Sequence, residues 1–123
     1  MTVKIYEYAT CSTCKKALKF LETKKISYQK IPIVDQPPSL AELKAMLGYL
    51  KEHGGSFKNL FNTSGVQYRE LKISDKLKAG LTEADALQLL AKNGKLIKRP
   101  FLLTPKSGAV GFKPEMWSKL LRS

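Results

Sequence analysis

Two cysteines, Cys11 and Cys14, stand in C-x-x-C spacing directly behind a short apolar run, Val3 to Tyr8. Directly ahead of them Ala17, Leu18, Phe20 and Leu21 recur at helical spacing. No other feature limits the fold as much. A strand must stop, a tight loop must turn and a helix must begin within a few residues, with Cys11 in the loop and Cys14 in the first helical turn. That turn presents unpaired backbone N–H groups and the positive end of the helix dipole. Lys15 and Lys16 add cations. A thiolate is stabilised in such surroundings, which makes Cys11 a candidate nucleophile at neutral pH.

The two cysteines lie too close together to staple a fold. In a reducing compartment the pair reads as redox-active rather than structural. That compartment is the expected one. The first residues, Met1 to Tyr8, run straight into a strand pattern with no basic and apolar leader, and no apolar run is long enough for a bilayer, so a cytoplasmic protein without a membrane partner is expected. A chain of 123 residues suits a single domain, 1–123, with a monomer as the default. The net charge of +12, from 22 Lys and Arg against 10 Asp and Glu, favours anionic partners. The lysines are scattered and no RNA-binding aromatic signature accompanies them, so a lysine-rich surface is the stronger reading than a nucleic-acid site.

Taken in order, the first helix should end near Lys24-Lys25, and a second strand should run from about Ser27 to Ile31. Pro32 lacks a ladder donor and makes that strand short or an edge. Asp35-Gln-Pro-Pro is a turn. Ser39 and Glu42 form a capping box for a helix bearing Leu40, Leu43, Met46, Leu47 and Leu50 on one face. Gly54-Gly55 stops that helix after Glu52-His53. Ser56 to Leu60 and Tyr68 to Leu77 are short helical patterns separated by Asn62-Thr63-Ser64-Gly65. Thr82 with Asp85 is a second capping box, for a helix with Ala86, Leu87, Leu89 and Leu90 inward and Asn93-Gly94 at its end. Residues 39–94 thus form a helical segment between two strand-bearing ends. Pro100 to Leu103 and Ala109 to Phe112 are strands joined at Lys106-Ser107-Gly108. Pro114 opens a last helix with Met116, Trp117, Leu120 and Leu121. The order, βαβ then helices then ββα, describes an α/β thioredoxin-like fold with a helical insertion of approximately 39–94 between its halves.

Zinc would need two ligands beyond the cysteine pair. The chain has no third cysteine and a single histidine, His53, at a glycine-terminated helix end, so no metal site is expected. His53 suits the negative end of the helix dipole and is only secondarily a candidate general base. Arg99-Pro100 is the second notable pair. In thioredoxin-like folds a cis proline commonly faces the cysteine loop, where its missing N–H leaves the neighbouring backbone open to a substrate. An ordinary trans proline at a strand start fits the residues equally. Arg99 is a permanent fork-shaped cation able to hold an oxyanion or a thiolate, and a solvated arginine in the basic Lys95-Lys98-Arg99 run is its competing reading; Lys113 is a candidate further cation at the same mouth, and a surface lysine is its competing reading.

Several blocks together resemble a known family: Cys11-Ser-Thr-Cys14-Lys-Lys-Ala, Gln36-Pro-Pro-Ser39, Leu60-Phe-Asn-Thr-Ser-Gly-Val-Gln-Tyr-Arg-Glu-Leu71, Leu96-Ile-Lys-Arg-Pro-Phe101 and Val110-Gly-Phe-Lys113. In this order, and over nearly the whole chain, they are similar to the ArsC/Spx family. The resemblance implies a thioredoxin-like fold and a cysteine nucleophile, matched by Cys11. Glutathione- and glutaredoxin-dependent arsenate reductases of the family add three arginines around the oxyanion. Arg99 matches one of them, whereas Asn62 and Lys113 stand where the others would be. Spx-like members keep a C-x-x-C that works as a disulfide switch, and they bind the RNA polymerase alpha subunit. The Asn62-Thr-Ser-Gly block is closest to a third branch, of arsenate-reductase-like or thiol-reductase-like proteins.

The expected function is therefore thiol–disulfide oxidoreduction, with Cys11 as nucleophile, Cys14 as resolving cysteine and Arg99 supporting the thiolate. Ser12, Thr13, Asn62, Pro100 and Lys113 are the candidate substrate contacts. No resident cofactor is expected; glutathione or another cellular thiol serves as co-substrate, with the glutaredoxin or thioredoxin system as candidate partners. A redox-sensing regulator docking on the RNA polymerase alpha C-terminal domain ranks second. Arsenate reduction with glutathione ranks third.

Overall fold

A computed structural model describes residues 3–8, 11–63 and 65–121. Ala9 and Thr10 of the cysteine loop, and Ser64 of the Asn62-to-Gly65 loop, lie outside the described residues. Four strands, β1 (Val3–Glu7), β2 (Tyr28–Pro32), β3 (Phe101–Leu103) and β4 (Gly108–Val110), form one sheet in the order β2-β1-β3-β4. β1 runs parallel to β2 and antiparallel to β3, and β3 pairs antiparallel with β4. Helix α1 (Ser12–Thr23) provides the crossover from β1 to β2 that a parallel pair requires. Helix α6 (Pro114–Leu120) follows the β3–β4 hairpin. The fold is α/β and thioredoxin-like, with the expected βαβ and ββα ends. β2 is an edge strand, in keeping with Pro32 at its last position.

Side chains of alternate parity divide the sheet between two cores. Val3 and Ile5 of β1, Leu102 of β3 and Ala109 of β4 pack with Ala17 and Leu21 of α1 and with Trp117 of α6. Tyr6, Ile31 and Phe101 point the other way, into the helices between β2 and β3. Those are α2 (Leu40–Glu52), α3 (Val66–Glu70), α4 (Ile73–Lys78) and α5 (Glu83–Lys92), with 3₁₀ turns at Phe57–Leu60 and Gly94–Leu96. The same period of two lets a nearly all-apolar strand such as β3 serve both layers.

Three devices fasten the helical segment to the sheet. The Ser39–Glu42 capping box forms, and the same Glu42 carboxylate accepts from Tyr6 Oη at 2.7 Å and pairs with Lys4 Nζ at 3.1 Å. Burial alone would raise the Glu42 pKa, but Tyr6, the Ser39 N–H and Lys4 outweigh it and hold the carboxyl below its usual range. Phe61 bridges Ile97 in antiparallel fashion, with Asn62 N–H donating to Leu96 O and Lys98 N–H to Leu60 O, both at 2.7 Å. The segment expected to be wholly helical, 39–94, therefore carries a strand-like contact from its interior to the chain just after it. Finally, a Cβ at Gly94 would lie 2.0 Å from the Ile33 carbonyl oxygen, so the 3₁₀ turn rests directly on the chain leaving β2.

Some local expectations change. Tyr68 to Leu77 is split into α3 and α4 by Lys72, whose φ of 51° is left-handed. At Thr82 only half a capping box forms: its hydroxyl accepts from the Asp85 N–H at 3.2 Å. Asp is one methylene shorter than the Glu that usually reaches back. Leu40 is 37% exposed because it is the first residue of α2 and leads the apolar stripe rather than lying within it.

Candidate active site

Cys11 is the N-cap of α1. Its backbone is extended, at φ −85° and ψ 113°, and its N–H donates to Tyr8 O at 3.0 Å. Its Sγ accepts from the Cys14 N–H at 3.2 Å, standing where a serine or aspartate oxygen would cap an ordinary helix. The sulfur thus meets a donor directed by the helix itself. Both cysteines are free thiols, and their surroundings differ: Cys11 is half-buried and Cys14 fully buried. The pitch of α1 explains this, since Cys14, Ala17 and Leu21 share its inward stripe. The Cys14 thiol is pushed up to about 12, first by burial, then by its hydrogen bond to Cys11 and by the negative charges of Cys11 and Glu7; the Tyr8 backbone opposes the rise. Ser12, Thr13, Lys15 and Lys16 are exposed on the outer side of the same turn.

Arg99 lies across the ring of Tyr8, its guanidinium carbon 4.6 Å from the ring centroid. Tyr8 therefore touches both halves of the candidate site, through its carbonyl to Cys11 and through its ring to Arg99. The Arg99–Pro100 peptide bond is cis, and Pro100 is buried. The Nη1 of Arg99 is buried with no hydrogen-bond partner among the described residues.

Arg99 also separates two cavities. One, of about 510 Å³, is lined by Thr13, His53, Lys98, Arg99, Gly111 and Lys113, among others. The other, of about 270 Å³, is lined by Tyr8, Asn62, Gln67, Glu70, Lys95 and Arg99, among others. The residues singled out in the sequence are thus divided: Thr13 and Lys113 share the larger cavity with Arg99, Asn62 shares the smaller, and Cys11, Ser12, Cys14 and Pro100 line neither. His53 caps the C-terminal end of α2, as its position beside Gly54 suggested, and faces the larger cavity. Tyr8 and Lys98 escaped the sequence reading. Tyr8 looked like the end of a strand, and Lys98 like one more lysine of a basic run; only the fold sets one under Arg99 and the other beside it.

This chain matches the ArsC family model over residues 6–120. The chain belongs to the ArsC family. Among solved structures of similar shape is an ArsC family related protein from Bacteroides fragilis, 48% identical with a TM-score of 0.89, covering 98% of each chain. A possible arsenate reductase from Streptococcus mutans is 37% identical with a TM-score of 0.78, covering 90% of this chain and 91% of its own. Among curated relatives, the uncharacterized protein YusI of Bacillus subtilis is 41% identical over 97% of this chain and 98% of its own length. The global transcriptional regulator Spx 2 of Bacillus anthracis is 29% identical over 97% of this chain and 86% of its own. The chain is thus similar both to a possible arsenate reductase and to a transcriptional regulator. Among the described residues, no helix is long and apolar enough to cross a membrane.

Proposed function

We propose that this ArsC family chain is a cytoplasmic thiol–disulfide oxidoreductase in which Cys11 attacks and Cys14 resolves. One observation carries the reading: a half-buried sulfur caps the helix and accepts the N–H of a second, fully buried cysteine. The half-buried Cys11 is the one a substrate can meet, and the fully buried Cys14 is not.

The Cys11 thiolate attacks one sulfur of a disulfide. The S–S bond breaks, one thiolate leaves and is protonated by solvent, and Cys11 is joined to the other half as a mixed disulfide. Forming that bond removes the Cys11 negative charge, one of the causes that hold the Cys14 thiol up to about 12. Cys14 then gives up its proton and attacks the Cys11 sulfur. The second thiolate leaves, the substrate has gained two electrons, and a Cys11–Cys14 disulfide remains for a cellular thiol such as glutathione, or a glutaredoxin or thioredoxin system, to reduce. Arg99 above Tyr8 and the start of α1 support the thiolate, Thr13 and Lys113 border the larger cavity, and Ser12 and Pro100 are further candidate contacts.

Turnover of a small neutral disulfide, with glutathione as the final donor, tests the scheme. Cys11→Ser should abolish it. Cys14→Ser should accumulate a Cys11 adduct visible by mass spectrometry. Undiminished turnover in Cys11→Ser would end the proposal.

A redox-sensing regulator is the second reading, favoured by the Spx 2 relative, the C-x-x-C and the +12 charge. Pull-down with the RNA polymerase alpha C-terminal domain in reduced and oxidised states separates it; no capture in either state removes it. Arsenate reduction ranks third, because Asn62 and Lys113 replace arginines and line different cavities.

A further inference from the structure

Lys98 has no part in the chemistry above, yet it lines the larger cavity beside Arg99 and Lys113. Its place is fixed from two sides. Its N–H donates to Leu60 O at 2.7 Å, which anchors the backbone just before Arg99. Its Cε lies 3.2 Å from the point a Cβ of Gly111 would occupy, so the alkyl stem crosses a bare Cα. Gly111 is itself held. Its φ is +74°, its N–H donates to Pro100 O at 2.9 Å and its carbonyl accepts from Trp117 Nε1 at 3.1 Å. At that φ a side chain is disfavoured, and one would also crowd the lysine stem.

The charge around this cavity is one-sided. Its lining includes Lys98, Arg99 and Lys113 and no carboxylate. The ion pairs among the described residues, Lys4–Glu42 and Lys51–Glu83, leave all three cations out. Like charges gathered around a concave wall focus a positive potential and concentrate anions. A volume of about 510 Å³ fits a small molecule. Thr13 lines this cavity and follows the nucleophile by two positions, which sets the cavity beside the first turn of α1.

We propose that Lys98, seated on Gly111, is a specificity-determining residue that selects small disulfides carrying a carboxylate. The inference rests on the oxidoreductase reading for its catalytic meaning. The step it serves is the exchange already written, with the carboxylate held at Lys98 while Cys11 attacks the sulfur.

Binding to the Cys11→Ser chain tests it without turnover. Two probes of similar length are compared, dithiodipropionate with two carboxylates and hydroxyethyl disulfide with none, following the Gly111 amide and Trp117 indole N–H signals by nuclear magnetic resonance. Dithiodipropionate should bind more tightly, and added salt should narrow the difference. Lys98→Gln should weaken it about fivefold, the scale of one partly screened charge contact. Lys98→Arg should restore most of the loss, and the neutral probe should not respond to either change. Equal binding of the two probes, or a ratio unmoved by Lys98→Gln, overturns the inference. Separately, failure of the unaltered chain to reduce dithiodipropionate, with charge-selective binding intact, defeats the oxidoreductase reading and leaves the subsite standing.

Discussion

The two faces of the sheet are built in different ways. On one, α1 and α6 lie against Val3, Ile5, Leu102 and Ala109, and Trp117 fills the space between them without any exposed surface. On the other, the long helix α2, α5 and several shorter helical pieces cover Tyr6, Ile31 and Phe101 and add specific fasteners: the Glu42 carboxylate, the Phe61–Ile97 bridge and the bare Cα of Gly94. The first face is a small apolar cluster gathered around one indole. The second buries the larger apolar cluster and also needs geometry at a few points, because helices of five or six residues, such as α3 and α4, hold little stability of their own. The candidate site uses both. Cys11 and Cys14 belong to the α1 face, whereas Asn62, Lys98 and Arg99 arrive with the segment that closes the second.

The comparison breaks most sharply at Trp117. Trp117→Ala should cost about 3–5 kcal/mol, and thermal unfolding should show it as the largest single-site loss in either core. The indole N–H that holds Gly111 is lost with it, so the larger cavity should also lose its shape. Gly94→Ala comes next. A methyl group facing a backbone carbonyl at 2.0 Å has nowhere to go, and about 1–3 kcal/mol or more is expected from overpacking. Hydrogen exchange sharpens the contrast here: amides of α5 and of the chain after β2 should exchange faster in Gly94→Ala while those of α1 stay protected. Equal loosening of both faces would show that they do not differ as described.

Glu42→Gln is the smallest of the three, at about 1 kcal/mol for a weakened cap and a lost charge-assisted bond. Its sign with pH follows from the depressed carboxyl. The native carboxylate stabilises the fold at pH above its unfolded pKa of about 4.3. That contribution drains away as pH falls through the lower folded value. Denaturant midpoints of native chain and variant should therefore differ at neutral pH and converge in acid. A gap that stays constant to low pH would remove the charge from the account.

Most of the fold was legible because its signals are local. Cys11-x-x-Cys14 fixed the first turn, Ser39 with Glu42 the start of α2, and Pro114 the start of α6. The break at Lys72 was hidden because nothing in its type announces a left-handed backbone. Cys11, Cys14 and Arg99 stood out by chemistry and spacing. Tyr8 and Lys98 did not, since their significance lies in what folds against them: a guanidinium over one ring, a glycine under the other stem. Likewise Asn62 and Lys113 are both neighbours of Arg99, and only the tertiary arrangement assigns them to opposite sides of it.

The sheet order has one more consequence. The free flank of β2 exposes Gln29 and Lys30 and finishes on an imino nitrogen, Pro32. A second copy aligning there to extend the hydrogen-bond ladder would find a donor missing and an ammonium to strip of its water. Part of the lysine surplus thus works far from any ligand, as a guard against self-templating.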